Sequence, residues 1–115
     1  MPATRNLSTI LLQTLEQAAD GVVLIDSDMR VLLFNRAAEQ LWGIARTAII
    51  GQDAKALLPA ELRAQLEQYG AGDHTVPIER ADGQRRWTAM SVSRIEADGE
   101  VLYTALIKDI TAQHQ

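Results

Sequence analysis

The chain has 115 residues, enough for one domain around one core. Hydrophobic residues make up 47%, which suits a globular fold, and aromatics only 4%, so the core must be built mainly of Leu, Ile, Val and Ala. The absence of cysteine excludes disulfides, cysteine-ligated zinc and cysteinyl-flavin photochemistry, and a net charge of −4 gives nucleic-acid binding no electrostatic support.

No apolar run approaches the ~20 residues of a membrane span. The opening Met1-Pro-Ala-Thr-Arg-Asn6 lacks the apolar centre of a signal peptide, so a cytoplasmic location is the default expectation.

The first periodic segment runs from Thr4 to Ala19. Leu7, Leu11, Leu15 and Ala18 fall on one helical face, and Ile10 and Leu12 widen the apolar surface. Such a helix can cover its own sheet alone, or cover the sheet and also meet a second subunit. Asp20-Gly21 breaks it.

Val22 to Asp26 reads as a short strand, Ser27-Asp28-Met29 as a turn and Arg30 to Phe34 as the partner strand. Both runs are continuously apolar, so both sheet faces must be partly covered. Asn35 is a good N-cap for a helix over Arg36 to Trp42, and Gly43 stops it. Thr47 to Ile50 is a helical turn stopped by Gly51. Asp53 caps another turn through Leu58, and Pro59 opens a helix over Ala60 to Tyr69. Gly70 to Asp73 is a flexible stop.

The remainder is β. Thr75 to Arg80, Gln84 to Glu96 and Glu100 to Asp109 are three strands, joined by the hairpin signals Asp82-Gly83 and Asp98-Gly99. Ala112 to Gln115 resembles the first turn of a further helix. The order is helix, two strands, short helices, three strands, an α+β domain with an antiparallel sheet.

These pieces, in this order, resemble a PAS domain. The residues that carry the resemblance are Gly21-Val-Val-Leu-Ile-Asp26, Phe34-Asn35, Ala37-Ala-Glu39, Leu41-Trp-Gly43, Ile50-Gly51, Asp82-Gly83, Trp87, Asp109 and Thr111. The resemblance implies a five-stranded antiparallel sheet with short helices enclosing a cavity. It implies an amphipathic helix over 1–20, packed on the outer sheet face and mediating homodimerisation through Leu7, Leu11, Leu12 and Leu15. It implies a core over 21–111, and a signalling helix beginning at 112–115. Asp109-Ile-Thr111 is similar to the family's exit motif, which leads to a covalently linked effector such as a histidine kinase, a diguanylate cyclase or a phosphodiesterase.

Within the family, Ala37-Ala-Glu, Leu41-Trp-Gly, Leu62-Arg63 and Gly99-Glu-Val101 followed by Tyr103 resemble the haem-binding oxygen-sensor domains of bacterial cyclic-di-GMP phosphodiesterases. In such domains a histidine on the long helix before the third strand ligates iron. Here Ala60 to Tyr69 holds none, and the methionine of the opposite side matches about Gly72. The frame is similar and the ligands are missing.

Strand alternation places candidate pocket residues. Val76 would face inward from the third strand, Met90 and Val92 from the fourth, and Tyr103, Ala105 and Ile107 from the fifth. Val23, Ile25, Trp42, Leu58 and Leu66 would close the other walls. His74, at the start of the third strand, is either a pocket or iron-ligating residue or a solvated loop histidine. Such a pocket suits a flat apolar cofactor, with haem ahead of flavin because no glycine-rich phosphate cradle is present. A filled core is the other outcome.

Arg80, Arg85, Arg86 and Arg94 form either a solvated strand surface or a set from which one arginine pairs with Asp109. Asp26 and Asp28 read as turn formers, and no metal-ligand spacing is present. Ser27 and Ser91 lack a nucleophile setting. Nothing argues for catalysis. A sensor of a small molecule or cofactor, a ligand-free dimerisation module and a small enzyme are the functions in competition, and the first two have support.

Overall fold

The computed structural model describes residues 7–57 and 72–114. The side chains of Leu7 and Leu12, the helix expected over Ala60 to Tyr69, and with it Leu58 and Leu66, lie outside the described residues.

Helix α1 (Leu7–Gln17) is followed by β1 (Gly21–Asp26) and β2 (Val31–Phe34). Next come α2 (Arg36–Trp42), α3 (Arg46–Ile49) and a 3-10 turn (Ala54–Leu57). Strands β3 (Gly72–Glu79), β4 (Arg85–Ala97) and β5 (Glu100–Asp109) complete the sheet, and α4 (Thr111–His114) leads away from it. The five strands form one sheet in the order β2-β1-β5-β4-β3, and every neighbouring pair is antiparallel. The expected α+β fold with a five-stranded antiparallel sheet is what the chain adopts.

Local chemistry explains the boundaries. The Asn35 carboxamide accepts from Ala38 N–H at 3.0 Å, capping α2. Gly43 ends α2 in the left-handed region, φ 69°, and its N–H donates to the Glu39 carbonyl at 2.8 Å. Asp26 Oδ1 accepts from the N–H groups of Asp28 and Arg30, both at 2.9 Å, which is the turn-forming role expected of it. Asp98 and Gly99 both have positive φ, 52° and 79°, between the paired residues Ala97 and Glu100. That is the two-residue turn whose twist matches the flanking strands. Asp82-Gly83 differs: it lies within a longer connection, closed by Arg80 N–H to the Gln84 carbonyl at 2.8 Å.

The core lies between the inner sheet face and the segment from β2 to the 3-10 turn. Val23, Ile25, Val31, Phe34, Ala38, Leu41, Trp42, Ile49, Ala54, Leu57, Ile78, Met90, Val92, Ala105 and Ile107 are buried there together. Phe34 and Trp42 pack with ring centroids 5.6 Å apart and planes tilted by 42°.

Helix α1 is tied into the molecule by polar contacts. It abuts both the helical side of the molecule and β2: Thr9, Gln13, Leu15 and Glu16 border one recess with Leu32, Leu33 and Arg46. The Leu15 carbonyl accepts from Asn35 Nδ2 at 2.7 Å. Glu16 pairs with the Arg46 guanidinium of α3, one of the two bonds being 2.7 Å from Nη1 to Oε2. Both polar ties run to the segment after β2, one to the N-cap of α2 and one to α3. On the outer sheet face Leu106 is half-exposed, at 50%.

Candidate functional site: an apolar cavity and the exit strand

A cavity of about 240 Å³ lies between the inner sheet face and the 3-10 turn. Strand β1 contributes Val23 and Ile25, β4 contributes Met90 and Val92, and β5 contributes Tyr103, Ala105 and Ile107. These are alternate residues, as the pleat requires, and the register aligns Val23 with Ala105, Ile25 with Tyr103, and Met90 with Ile107. Trp42 closes one wall, its indole N–H donating to the Leu57 carbonyl at 3.0 Å.

Five lining residues escaped the sequence reading: Ser27, Met29, Ala54, Lys55 and Leu57. Ser27 and Met29 belong to a turn, where strand alternation gives no inward face. The 3-10 turn is brought over the sheet by long-range bonds, Ala54 N–H to the Met29 carbonyl at 2.7 Å and Val31 N–H to the Gln52 carbonyl at 3.0 Å. No local pattern announces them.

His74 and Val76 do not border this cavity. Both lie on β3, where His74 pairs with Met90 and Val76 with Thr88. Strand β3 is the sheet's edge strand, one position beyond β4, ~4.8 Å further from the cavity centre. His74 is half-buried, and its Nε2 has no hydrogen-bond partner. Val76 packs against the core margin. Thr88, fully buried on the same face as Met90, is occupied by a bond from its hydroxyl to the Val76 carbonyl at 2.8 Å.

Haem would need an iron-ligating side chain and room for a macrocycle. Among the described lining residues there is no histidine. The volume of about 240 Å³ falls below the ~300–1,000 Å³ common for ligand pockets, and haem is a large ligand. The described lining fits a smaller molecule.

The exit from the sheet is a closed hydrogen-bond knot. Asp109 Oδ1 accepts from Thr111 Oγ1 at 2.6 Å and from Thr111 N–H at 2.9 Å. Thr111 Oγ1 accepts from Trp87 N–H at 3.0 Å, and Ile110 N–H donates to the Trp87 carbonyl at 2.8 Å. Of the four arginines, Arg86 meets Asp109, with Nη1 3.5 Å from Oδ2. Arg80 pairs with Asp82 and also reaches the Gln40 and Leu41 carbonyls at the end of α2. Arg94 pairs with Glu96, and Arg85 is exposed. Partial burial works against charge on Asp109. The two bonds from Thr111 and the nearby Arg86 and Arg80 outweigh it, so the carboxyl ionises below its ordinary range.

Of the expected dimerisation residues, Leu11 is exposed, at 61%, and Leu15 is half-buried. Among the described residues no group of histidines and carboxylates could hold a metal ion, and no helix is long and apolar enough to cross a membrane.

The chain is similar to the oxygen sensor protein DosP of Escherichia coli K12, 33% identical over 116 residues, which cover 90% of the chain and 14% of DosP. It is similar to the sensor protein FixL of Bradyrhizobium diazoefficiens, 27% identical over 98% of the chain and 25% of FixL. The chain thus spans a quarter or less of the curated relatives it matches. In three dimensions it resembles the PAS domain of an HTR-like protein from Haloarcula marismortui, with a TM-score of 0.78 and 21% identity over 90% of this chain and 92% of that one. Residues 15–115 match the family described as PAS fold, and the chain, with its antiparallel sheet, enclosed cavity and Asp109–Thr111 exit, belongs to that family.

Proposed function

We propose that the chain is the sensory module of a longer signalling protein. A small ligand in the cavity, or a rearrangement between two copies joined through α1, shifts the packing of the sheet against its helices. The change leaves through Asp109-Ile110-Thr111 toward a covalently linked effector, a histidine kinase, diguanylate cyclase or phosphodiesterase.

One observation carries this reading. Ile107 lines the cavity and lies two residues before Asp109 on the same face of β5, and Met90 lines it two residues after Thr88, the partner of Asp109 across the ladder. A displacement of the cavity wall therefore reaches the exit knot through one strand pair, without an intervening loop. The mechanism is a population shift: a ligand that binds one arrangement of the wall more tightly raises the population of that arrangement at the exit.

The test uses the full-length protein. Asp109→Ala and Thr111→Ala should abolish or lock its response. An unchanged response in both variants would sink the relay. Haem is tested separately by absorption before and after adding haemin. A spectrum without a sharp Soret band fits the small cavity. A sharp band that weakens in His74→Ala would return haem as the ligand.

A further inference from the structure

The cavity is apolar at one end and polar at the other. We infer that its ligand is a small molecule with an apolar body and a single anionic head, a carboxylate, held at Lys55. This rests on the reading of the cavity as a ligand site.

The sheet register sets the direction. Gly21 faces Ile107, Val23 faces Ala105 and Ile25 faces Tyr103, so the lining runs along β1 from the Ile107 end to the Tyr103 end. Past Ile25 the chain turns through Ser27 and Met29. The bond from Ala54 N–H to the Met29 carbonyl, 2.7 Å, holds the residue before Lys55 to that turn. Ser27, Lys55 and Tyr103 thus gather at one end of the cavity.

At the other end, two side-chain donors of the described residues are already engaged. The Trp42 indole N–H is engaged by the Leu57 carbonyl at 3.0 Å, and the nearby Thr88 hydroxyl by the Val76 carbonyl at 2.8 Å. A ligand group buried there must be apolar, because a polar one would lose its water without gaining a partner.

Lys55 is the only charged residue among the described lining residues. The neighbouring carboxylates each hold backbone N–H groups through one oxygen. Asp53 Oδ1 accepts from the Lys55 backbone N–H at 2.9 Å, and Asp26 Oδ1 accepts from Asp28 and Arg30. The Lys55 ammonium takes part in none of the ion pairs of the described residues. Lys55 and Ser27 are exposed and Tyr103 half-buried, so this end is the cavity's solvent-facing rim; there an anion complements the ammonium, and the Ser27 and Tyr103 hydroxyls can each donate to a carboxylate oxygen. At ~30 Å³ per water the cavity has room for about eight water-sized groups, which fits a medium-length chain or a single ring.

The test is a calorimetric titration of the chain with octanoate, octan-1-ol and octylamine, equal in apolar body and different in head. Octanoate should bind saturably and about tenfold tighter than octanol, with octylamine weakest. Lys55→Met should bring octanoate down to the octanol level and leave octanol binding unchanged. Equal binding of octanoate and octanol, or an unaltered octanoate affinity in Lys55→Met, would overturn the anionic head while leaving the cavity as a ligand site. Absence of saturable binding by all three probes would overturn both readings. Where binding is seen, Ala105→Phe, which fills the cavity from β5, should remove it for every probe. Retained binding in a folded Ala105→Phe protein would place the probes elsewhere and overturn the inference.

Discussion

Asn35 Nδ2 donates to the Leu15 carbonyl at 2.7 Å, joining the end of α1 to the start of α2 across twenty residues of sequence. The same carboxamide donates to the Asp20 carbonyl at 3.1 Å and accepts from Val22 N–H at 2.8 Å and from Ala38 N–H at 3.0 Å. Asn35 is 1% exposed, so its donors and its acceptor are all satisfied by protein. One side chain thus caps a helix, fixes the first residues of β1 and holds α1 against the core.

Asn35→Ala should therefore be the most damaging polar substitution in the domain. It orphans two buried backbone N–H groups and removes a cap, for a loss of about 2–4 kcal/mol in urea unfolding. Asn35→Asp keeps the acceptor and faces two carbonyls with an anion. It should release α1 selectively, seen as faster amide exchange in Leu7–Gln17 than in β5. Uniform exchange rates in that variant would contradict the clamp.

The Glu16–Arg46 pair is the second hold on α1. The hydrogen bonds from Arg46 keep the Glu16 carboxyl below its ordinary value of 4.5. A group depressed in the folded state contributes stability that is fully present above the open-chain value and lost as pH falls through the folded one. Docking of α1 should weaken on acidification below about pH 4.5, and Arg46→Gln should remove that dependence. Both side chains are partly exposed, so the cost at neutral pH should stay within about 1 kcal/mol. Amide exchange in α1 as a function of pH reads both effects.

The exit knot should be separable from the fold. Thr111→Val removes the hydroxyl that donates to Asp109 and accepts from Trp87 N–H, and should lower stability by about 1–2 kcal/mol. Thr111→Ser keeps both bonds and should restore most of it. Asp109 also ionises below its ordinary value of 3.8, so its share of stability is present above that pH and fades as acid protonates it. Comparing the unfolding free energy of Thr111→Val with wild type at pH 7 and pH 3 should give a smaller difference at the lower pH.

Trp42 reports on the cavity. It lines the site and is 2% exposed. Trp42→Phe removes the donor to the Leu57 carbonyl and should cost about 1–3 kcal/mol through lost packing and that hydrogen bond. Octanoate should alter the fluorescence of a protein that keeps Trp42 and has Trp87→Phe. No change under saturating probe would argue that the ligand stays away from the indole.

Much of this architecture was legible in the chain itself. Alternation in β4 and β5 placed Met90, Val92, Tyr103, Ala105 and Ile107 inward, and these, with Val23, Ile25 and Trp42 expected to close the other walls, border the cavity. Asn35 and Gly43 bounded α2 because capping depends on adjacent residues. Asp98-Gly99 gave its turn because positive φ at both positions is a local requirement. Only the tertiary structure decided the rest. Edge position removed His74 and Val76 from the cavity, since alternation fixes a residue's face and not its strand's place in the sheet. Long-range backbone bonds, which leave no periodic trace, brought Lys55 and Ser27 to the polar end. Helix α1 had an apolar face that suited a sheet, and two polar partners twenty and thirty residues further along the chain fix where its end sits. Sequence periodicity reports which face is apolar; what that face meets is fixed by satisfying the polar groups around it.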